Sequence, residues 1–233
     1  MLAQFAHKAI FRFKQLHLAR GLCSLRKLYW RTQGMQIGRD AKFSSLQVTW
    51  PHKVSLGASC SLEHDIYLNA AGPYSEGVSI RLGSGCFIGN GCEFNISNQL
   101  TIGANSLIAA GTRFIDHNHG VALGAPIKHQ PETSAPITVG PDVWIGANSL
   151  VLQGVTLGEG VVVAAGSVVT HSVPPFTVVA GCPARPLRDR RQPRGTGVEL
   201  AASIARAISA ARPPMREADE FSSEETPKGV LVN

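Results

Sequence analysis

Residues 136–188 read PITVGPDVWIGANSLVLQGVTLGEGVVVAAGSVVTHSVPPFTVVAGCPARPLR, and their spacing decides the fold. From Val139 every sixth residue is aliphatic: Val139, Ile145, Val151, Leu157, Val163 and Val169. The fifth residue of each unit is small or β-branched (Val143, Ser149, Val155, Val161, Ser167, Val173), and the second is often glycine, as at Gly140, Gly146 and Gly158. A helix repeats at about 3.6 residues and a long half-buried strand at about 2, so this hexad is neither. It fits a short strand followed by a corner. The aliphatic residue fills the core, the small residue packs beside it near the corner, and the glycines and small polar residues turn the chain. Three units close one triangular coil of about 18 residues, and stacked coils pair as parallel strands about 4.8 Å apart.

The same phase runs upstream with breaks. Leu56, Leu62 and Leu68 form one triplet, Leu82, Ile88 and Phe94 a second, and Ile102, Ile108 and Phe114 a third; Ile37, Phe43 and Thr49 make a poorer first coil. Extra residues fall after the third unit of a triplet, near 73–81, 100–101 and 115–138, so the insertions are expected to leave the prism at one corner. About six coils result. Cys60, Cys86 and Cys92 take the fifth position and read as small core residues. With Cys23 and Cys182 they make five cysteines, an odd number with no CxxC pair, which argues against a disulfide framework or a zinc site and fits a reducing compartment.

Composition agrees with many short strands and tight corners: 44% hydrophobic, only 6% aromatic, with 24 glycines. The segments divide into a basic, helical N-terminal stretch at 1–36, the repeat domain at 37–188 with its loop at 115–138, and a tail at 189–233. In that tail 198–211 can form a helix and 217–228 is polar enough to stay disordered. The net charge of +6 is concentrated early: residues 1–42 hold nine Lys/Arg against one acid, Asp40. Phe5, Ile10, Phe11, Phe13, Leu16 and Leu18 interleave with those cations. The stretch reads as an amphipathic cap on the core, with contact to an anionic membrane surface as the alternative. It matches no nucleic-acid-binding motif, so no nucleic-acid partner is expected. No apolar run is long enough to span a bilayer, and Lys8, Arg12, Lys14 and Arg20 break up any secretory core. A cytoplasmic protein is expected, at the inner face of the membrane if the basic segment makes that contact.

The unit [LIV]-G-x-x-[STAV]-x resembles the hexapeptide-repeat acyltransferases, and the chain from Ile37 to Arg188 looks like their maltose, galactoside and polysaccharide O-acetyltransferase branch. Three local motifs carry this beyond the repeat: the Asp116-His117-Asn118-His119 loop, the V-W-I-G turn at 143–146, and V-A-G-C-P-A-R at 179–185. The fold class so implied is all-β, a left-handed parallel β-helix. The hand comes from the resemblance, because parallel crossovers are otherwise almost always right-handed. Members are usually trimers with sites in grooves between neighbouring helices, so a homotrimer is expected.

The resemblance implies transfer of an acetyl group from acetyl-CoA to a hydroxyl of a carbohydrate. His117 takes the position of the catalytic histidine, and a neutral imidazole suits removal of a hydroxyl proton near neutral pH. Ala147 and Ala165, one coil apart at the third position of their hexads, match contacts to acetyl-CoA, as do Thr170 and His171; the family often has lysine where His171 stands. Arg185 and Arg188 match arginines that meet the nucleotide end, where a guanidinium fork suits phosphate. Asn95, Ser97, Asp116, His119 and Trp144 are candidate acceptor contacts. Two other readings stand beside this one: an N-acyltransferase for an amino sugar, and a non-catalytic β-helix scaffold. A zinc site on His117 and His119, as in β-helix carbonic anhydrases, needs a third histidine, and His64, His129 and His171 fall in no evident pattern, so no metal is expected.

Overall fold

In the computed structural model the described residues are 19–192 and Arg206. The expected contributions of Phe5 to Leu18 and of the polar segment 217–228 lie outside these residues, as does the expected helix at 198–211 except for Arg206, which is helical. A helix, α1 (Ala19–Thr32), leads into a prism of three parallel sheets. Its end follows from Gly34 in a left-handed conformation (φ +92°), with Gly34 N–H donating to Arg31 O and Met35 N–H to Trp30 O. These are the two bonds of a Schellman cap, and Met35, the residue after the glycine, is buried.

The first sheet stacks Gln36–Ile37, Val54–Leu56, Ile80–Leu82, Leu100–Ile102, Ile137–Val139 and Thr156–Leu157. The second stacks Lys42–Phe43, Ser61–Leu62, Phe87–Ile88, Leu107–Ile108, Trp144–Ile145, Val162–Val163 and Thr177–Gly181, and ends on an antiparallel partner, Ala184–Asp189. The third stacks Leu46–Val48, Ile66–Ala70, Glu93–Ile96, Arg113–Ile115, Leu150–Leu152 and Val168–Val169. Each strand pairs with the one a full coil away, so the chain visits the three faces in turn through six coils. The aliphatic hexad positions point inward and form one core, in which the Phe94 and Phe114 rings stack at 5.2 Å. Cys60, Cys86 and Cys92 are buried as expected, and each thiol donates to a carbonyl of the next coil: Gly83, Gly103 and Ala109.

Two registers differ from the hexad count. In the first coil Val48, not Thr49, is the partner of Leu68; this unit is one residue short and Thr49 turns outward. At the far end Val173 bridges to Leu157, so it begins the next coil instead of ending its own hexad.

The glycines do two jobs, one of them the expected turning: Gly85, Gly91, Gly111, Gly154, Gly160 and Gly166 take the fourth hexad position with φ between 66° and 74°. In other hexads the same position holds Asp40, Ser59, Asp65, Asn105, Asp142 and Asn148, all with φ between 54° and 61°. Short polar side chains tolerate this left-handed region. The second-position glycine serves stacking: a Cβ on Gly89 would stand 2.5 Å from the Ala110 amide nitrogen of the next coil. Backbone cannot yield there without opening the ladder bond from Gly89 N–H to Ile108 O. Gly89→Ala is therefore expected to cost about 3 kcal/mol, visible as a melting temperature lower by roughly 10 °C in thermal unfolding. A wild-type melting curve for the variant would refute this packing argument.

The insertions into the repeat all leave at the corner between the third and first sheets. They are Trp50–Lys53, 71–79, 97–99 and 116–136. That corner is where the loop chemistry gathers.

Candidate active site

Asp116 is the first residue of the long insertion and is fully buried at 0% exposure. A carboxylate is stable there because three backbone N–H groups of the preceding coil's turn converge on it. Ser97 N–H donates to Oδ1 at 2.7 Å, and Asn98 and Gln99 N–H donate to Oδ2 at 2.8 and 3.0 Å. Successive amides curled round an anion replace much of its hydration. Asp116 was expected to touch an acceptor. In the structure its carboxylate is buried and accepts three backbone N–H bonds, so it fixes two turns to each other.

His117 follows at the start of a short antiparallel hairpin, His117–Asn118 with Thr133–Ser134. Its ring is mostly buried, with 13% of the side chain exposed, and Nδ1 lies 3.4 Å from Asp116 Oδ1. A ring nitrogen beside a carboxylate carries the proton, which leaves the Nε2 lone pair as the basic one. His119 is more exposed; its ring lies 6.5 Å from that of His117, edge to face, and its Nδ1 is 3.4 Å from Glu132 Oε1. Gln130 holds the far part of the loop, accepting from Ala122 N–H and donating to the Ala122 and Ala125 carbonyls.

The same corner brings in two further expected residues. Asn95 is in register with Ile115, immediately before Asp116, and its Oδ1 accepts from Asn69 Nδ2 at 2.8 Å. Ser97 contributes its backbone N–H to Asp116 and leaves its side chain exposed. Asn95, Ser97, Asp116 and His117 therefore form one group. Thr170 and His171 lie higher on this corner, bonded to each other at 2.8 Å (Thr170 Oγ1 to His171 Nδ1).

The remaining expected residues are elsewhere on the chain. Ala147 and Ala165 sit on the corner between the second and third sheets, stacked one coil apart by the bond from Gly166 N–H to Ala147 O. Ala165 is exposed and Ala147 half-buried, so they form a ledge of backbone and methyl groups. Trp144 is on the second sheet, in register with Leu107 and Val162. That face is opposite the corner bearing His117, so within one chain Trp144 and His117 cannot share a ligand. Arg185 and Arg188 lie on the terminal strand, each donating to a neighbouring carbonyl (Ala184 and Asp189). Two arginines beyond them are engaged: Arg190 with Asp142 at 2.7 Å, and Arg191 with Asp189, whose carboxyl it holds down at about 2.

Sequence reasoning missed the turn at 97–99 as the cradle of Asp116. It also missed a ring cluster lower on the same corner, where Trp50, His52 and Tyr74 stand 4.8–5.9 Å apart. The available signal was that every one of these residues sits where the hexad is interrupted.

Comparison with known proteins agrees with this architecture. A family model described as the hexapeptide repeat of succinyl-transferase matches residues 136–171. The putative lipopolysaccharide biosynthesis O-acetyl transferase WbbJ of Escherichia coli K12 is 34% identical over 152 residues, covering 54% of this chain and 74% of its own length. A putative acetyltransferase of Schizosaccharomyces pombe is 35% identical over 124 residues, 49% of this chain and 55% of that protein, so the chain spans only about half of this relative. A hexapeptide-repeat acetyltransferase of Vibrio cholerae, solved in complex with acetyl coenzyme A, superposes with a TM-score of 0.53 at 27% identity, covering 72% of this chain and 78% of that one. This chain belongs to the hexapeptide-repeat acyltransferases, and its three-sheet prism is their left-handed β-helix.

Proposed function

We propose that the protein is an acetyl-CoA-dependent O-acetyltransferase acting on a hydroxyl of a sugar or polysaccharide precursor. The observation that carries this reading is His117, oriented through Nδ1 by a buried carboxylate, with Nε2 as its basic nitrogen. In the proposed reaction Nε2 takes the proton of the acceptor hydroxyl as its oxygen forms a bond to the thioester carbonyl carbon. The tetrahedral oxyanion collapses, the carbon–sulfur bond breaks, and the departing thiolate takes the proton back from the imidazolium. No acyl-enzyme is required. The relation to WbbJ, described as acting in lipopolysaccharide biosynthesis, supports a carbohydrate acceptor. The cytoplasm is the proposed location. Among the described residues no helix is long and apolar enough to cross a membrane.

The acyl donor proposed is acetyl-CoA. The ledge of Ala147 and Ala165 suits a pantetheine arm lying against main chain, with Thr170 and His171 as further contacts and Arg185 and Arg188 placed for phosphate. These residues divide between two corners of one prism and its terminal strand, and a ligand bridging them fits a groove between two neighbouring helices. A homotrimer is therefore part of the proposal. Further support is the outward column Phe87–Leu107–Trp144 on the second face, where Leu107 and Trp144 are exposed large apolar side chains, as are Val121, Leu123 and Ile127 in the loop. Such a stripe on a prism face suits burial against a neighbour. Leu107→Glu is expected to convert trimer to monomer in light scattering at micromolar protein and to lower activity at least tenfold. An unchanged mass would remove this face from the assembly.

The function itself is tested by following CoA release from acetyl-CoA with a panel of sugars, nucleotide sugars, amino sugars and oligosaccharides. Acceptor-dependent release on hydroxyl-bearing sugars, with an acetyl ester in the product, is the expected result. Release confined to amino sugars, with an amide product, would replace this reading by N-acyl transfer. Binding of CoA without release for any acceptor would favour a scaffold.

A further inference from the structure

Helix α1 has two unlike faces. Trp30 packs against the core, and Cys23 and Lys27 turn partly inward with it. On the opposite face Leu25, Leu28 and Tyr29, spaced i, i+3, i+4, are 65%, 61% and 56% exposed. The helix contains no acid, and Arg26 and Arg31 flank the apolar three. Lys27, Arg31 and Arg39 also border a cavity of about 360 Å³ between the helix and the first coil, which takes in Leu28 and Asp40. Among the described residues none of Arg26, Lys27, Arg31 and Arg39 is in a side-chain ion pair, although Arg31 donates to the Ile37 carbonyl.

We propose that this face of α1 docks on an anionic lipid surface, with Leu25, Leu28 and Tyr29 entering the headgroup–acyl boundary and the cationic cavity receiving lipid phosphate. Charge decides between the occupants. A second copy would present the same acid-free helix to itself, and residues 1–18 add Lys8, Arg12 and Lys14 with no acid, so both repel this surface. A nucleic acid satisfies the cations but gives the two leucines nothing to bury against. An anionic bilayer satisfies both, since interfacial binding combines apolar burial with attraction of cations to acidic headgroups. The surface lies on the first coil, well away from the turn holding Asp116, so docking leaves the proposed active corner open.

The test is co-sedimentation of the full-length protein with vesicles of phosphatidylcholine alone and of phosphatidylcholine with one quarter phosphatidylglycerol. The expected result is binding to the anionic vesicles at about 0.1 M salt, weaker by at least tenfold on neutral vesicles or at about 0.5 M salt. Two variants, Leu25→Glu/Leu28→Glu and Lys27→Gln/Arg39→Gln, are each expected to lose at least tenfold while helix content and oligomeric mass stay as in wild type. Absence of binding to anionic vesicles, equal binding to both kinds, or full binding by the variants would overturn the proposal. So would a change of oligomeric mass in the leucine variant, which would make the face a contact between copies, or preferential capture of duplex DNA over anionic vesicles.

Discussion

On the proposed mechanism His117→Ala is expected to lower kcat/KM for the acceptor by about 10²–10⁴-fold, the range for removal of a positioned general base. The size follows from the acceptor's chemistry. An alcohol is a weak nucleophile until its proton leaves, and His117 is the basic side chain that the prism holds at the mouth of the insertion corner. His119, the other imidazole of the loop, is tied to Glu132 rather than to the buried carboxylate, so it does not take over. Binding of CoA, followed by calorimetry, stays within about threefold of wild type, because the proposed donor contacts, Ala147 and Ala165 on another corner and Thr170 and His171 higher on this one, do not include His117. His117→Gln behaves like the alanine variant, since an amide replaces the ring's bulk and not its basicity. Equal rates in wild type and His117→Ala would remove the residue from the mechanism. Loss of CoA binding in step with activity would make it a structural residue instead.

The hexad was legible because a prism coil is short and each face repeats the same demand. An aliphatic residue must fill the interior, so Val139 to Val169 could be counted without any structure. The count failed where one residue was missing or where a coil closed early. Thr49 and Val173 are apolar-compatible residues at the expected number, and only pairing to Leu68 and Leu157 shows the slip. Handedness was not in the period at all, since a triangular coil of either hand shows the same spacing. The corner proposed as the active one was legible as a place, because every insertion falls after the third strand. The division of labour inside it was not. Nothing about Asp116 in a polar loop distinguishes a carboxylate facing solvent from one wrapped by the amides of a turn 17–19 residues earlier. Trp144 was different: it precedes Ile145 in a hexad of the second face, and the same counting places it opposite His117.

Asp116→Asn is the second large effect. The substitution keeps size and shape but replaces one oxygen by an NH₂ group and removes the charge. Ser97 N–H bonds one carboxylate oxygen and Asn98 and Gln99 N–H bond the other, so in either orientation the amide sets a donor against at least one donor. A buried N–H left without its acceptor costs about 1–3 kcal/mol, and the surviving bonds lose their charge assistance. A stability loss of roughly 3 kcal/mol is expected, measured by urea unfolding. Activity falls for a further reason. In the proposed mechanism Asp116 acts through His117 as a positioning residue: without its charge the Nδ1 proton is no longer preferred on the side facing Oδ1, and Nε2 is the lone-pair nitrogen less often. The expected outcome is a kcat lower by about 10²-fold with acceptor KM within a few fold, persisting at low temperature where the variant is fully folded. A purely structural role predicts the opposite pattern, with kcat recovering once the folded fraction is restored. Asp116→Glu separates charge from placement: it keeps the carboxylate but lengthens the arm inside a fully buried site. Recovery of kcat in that variant would show that charge, more than the turn's geometry, sets the imidazole.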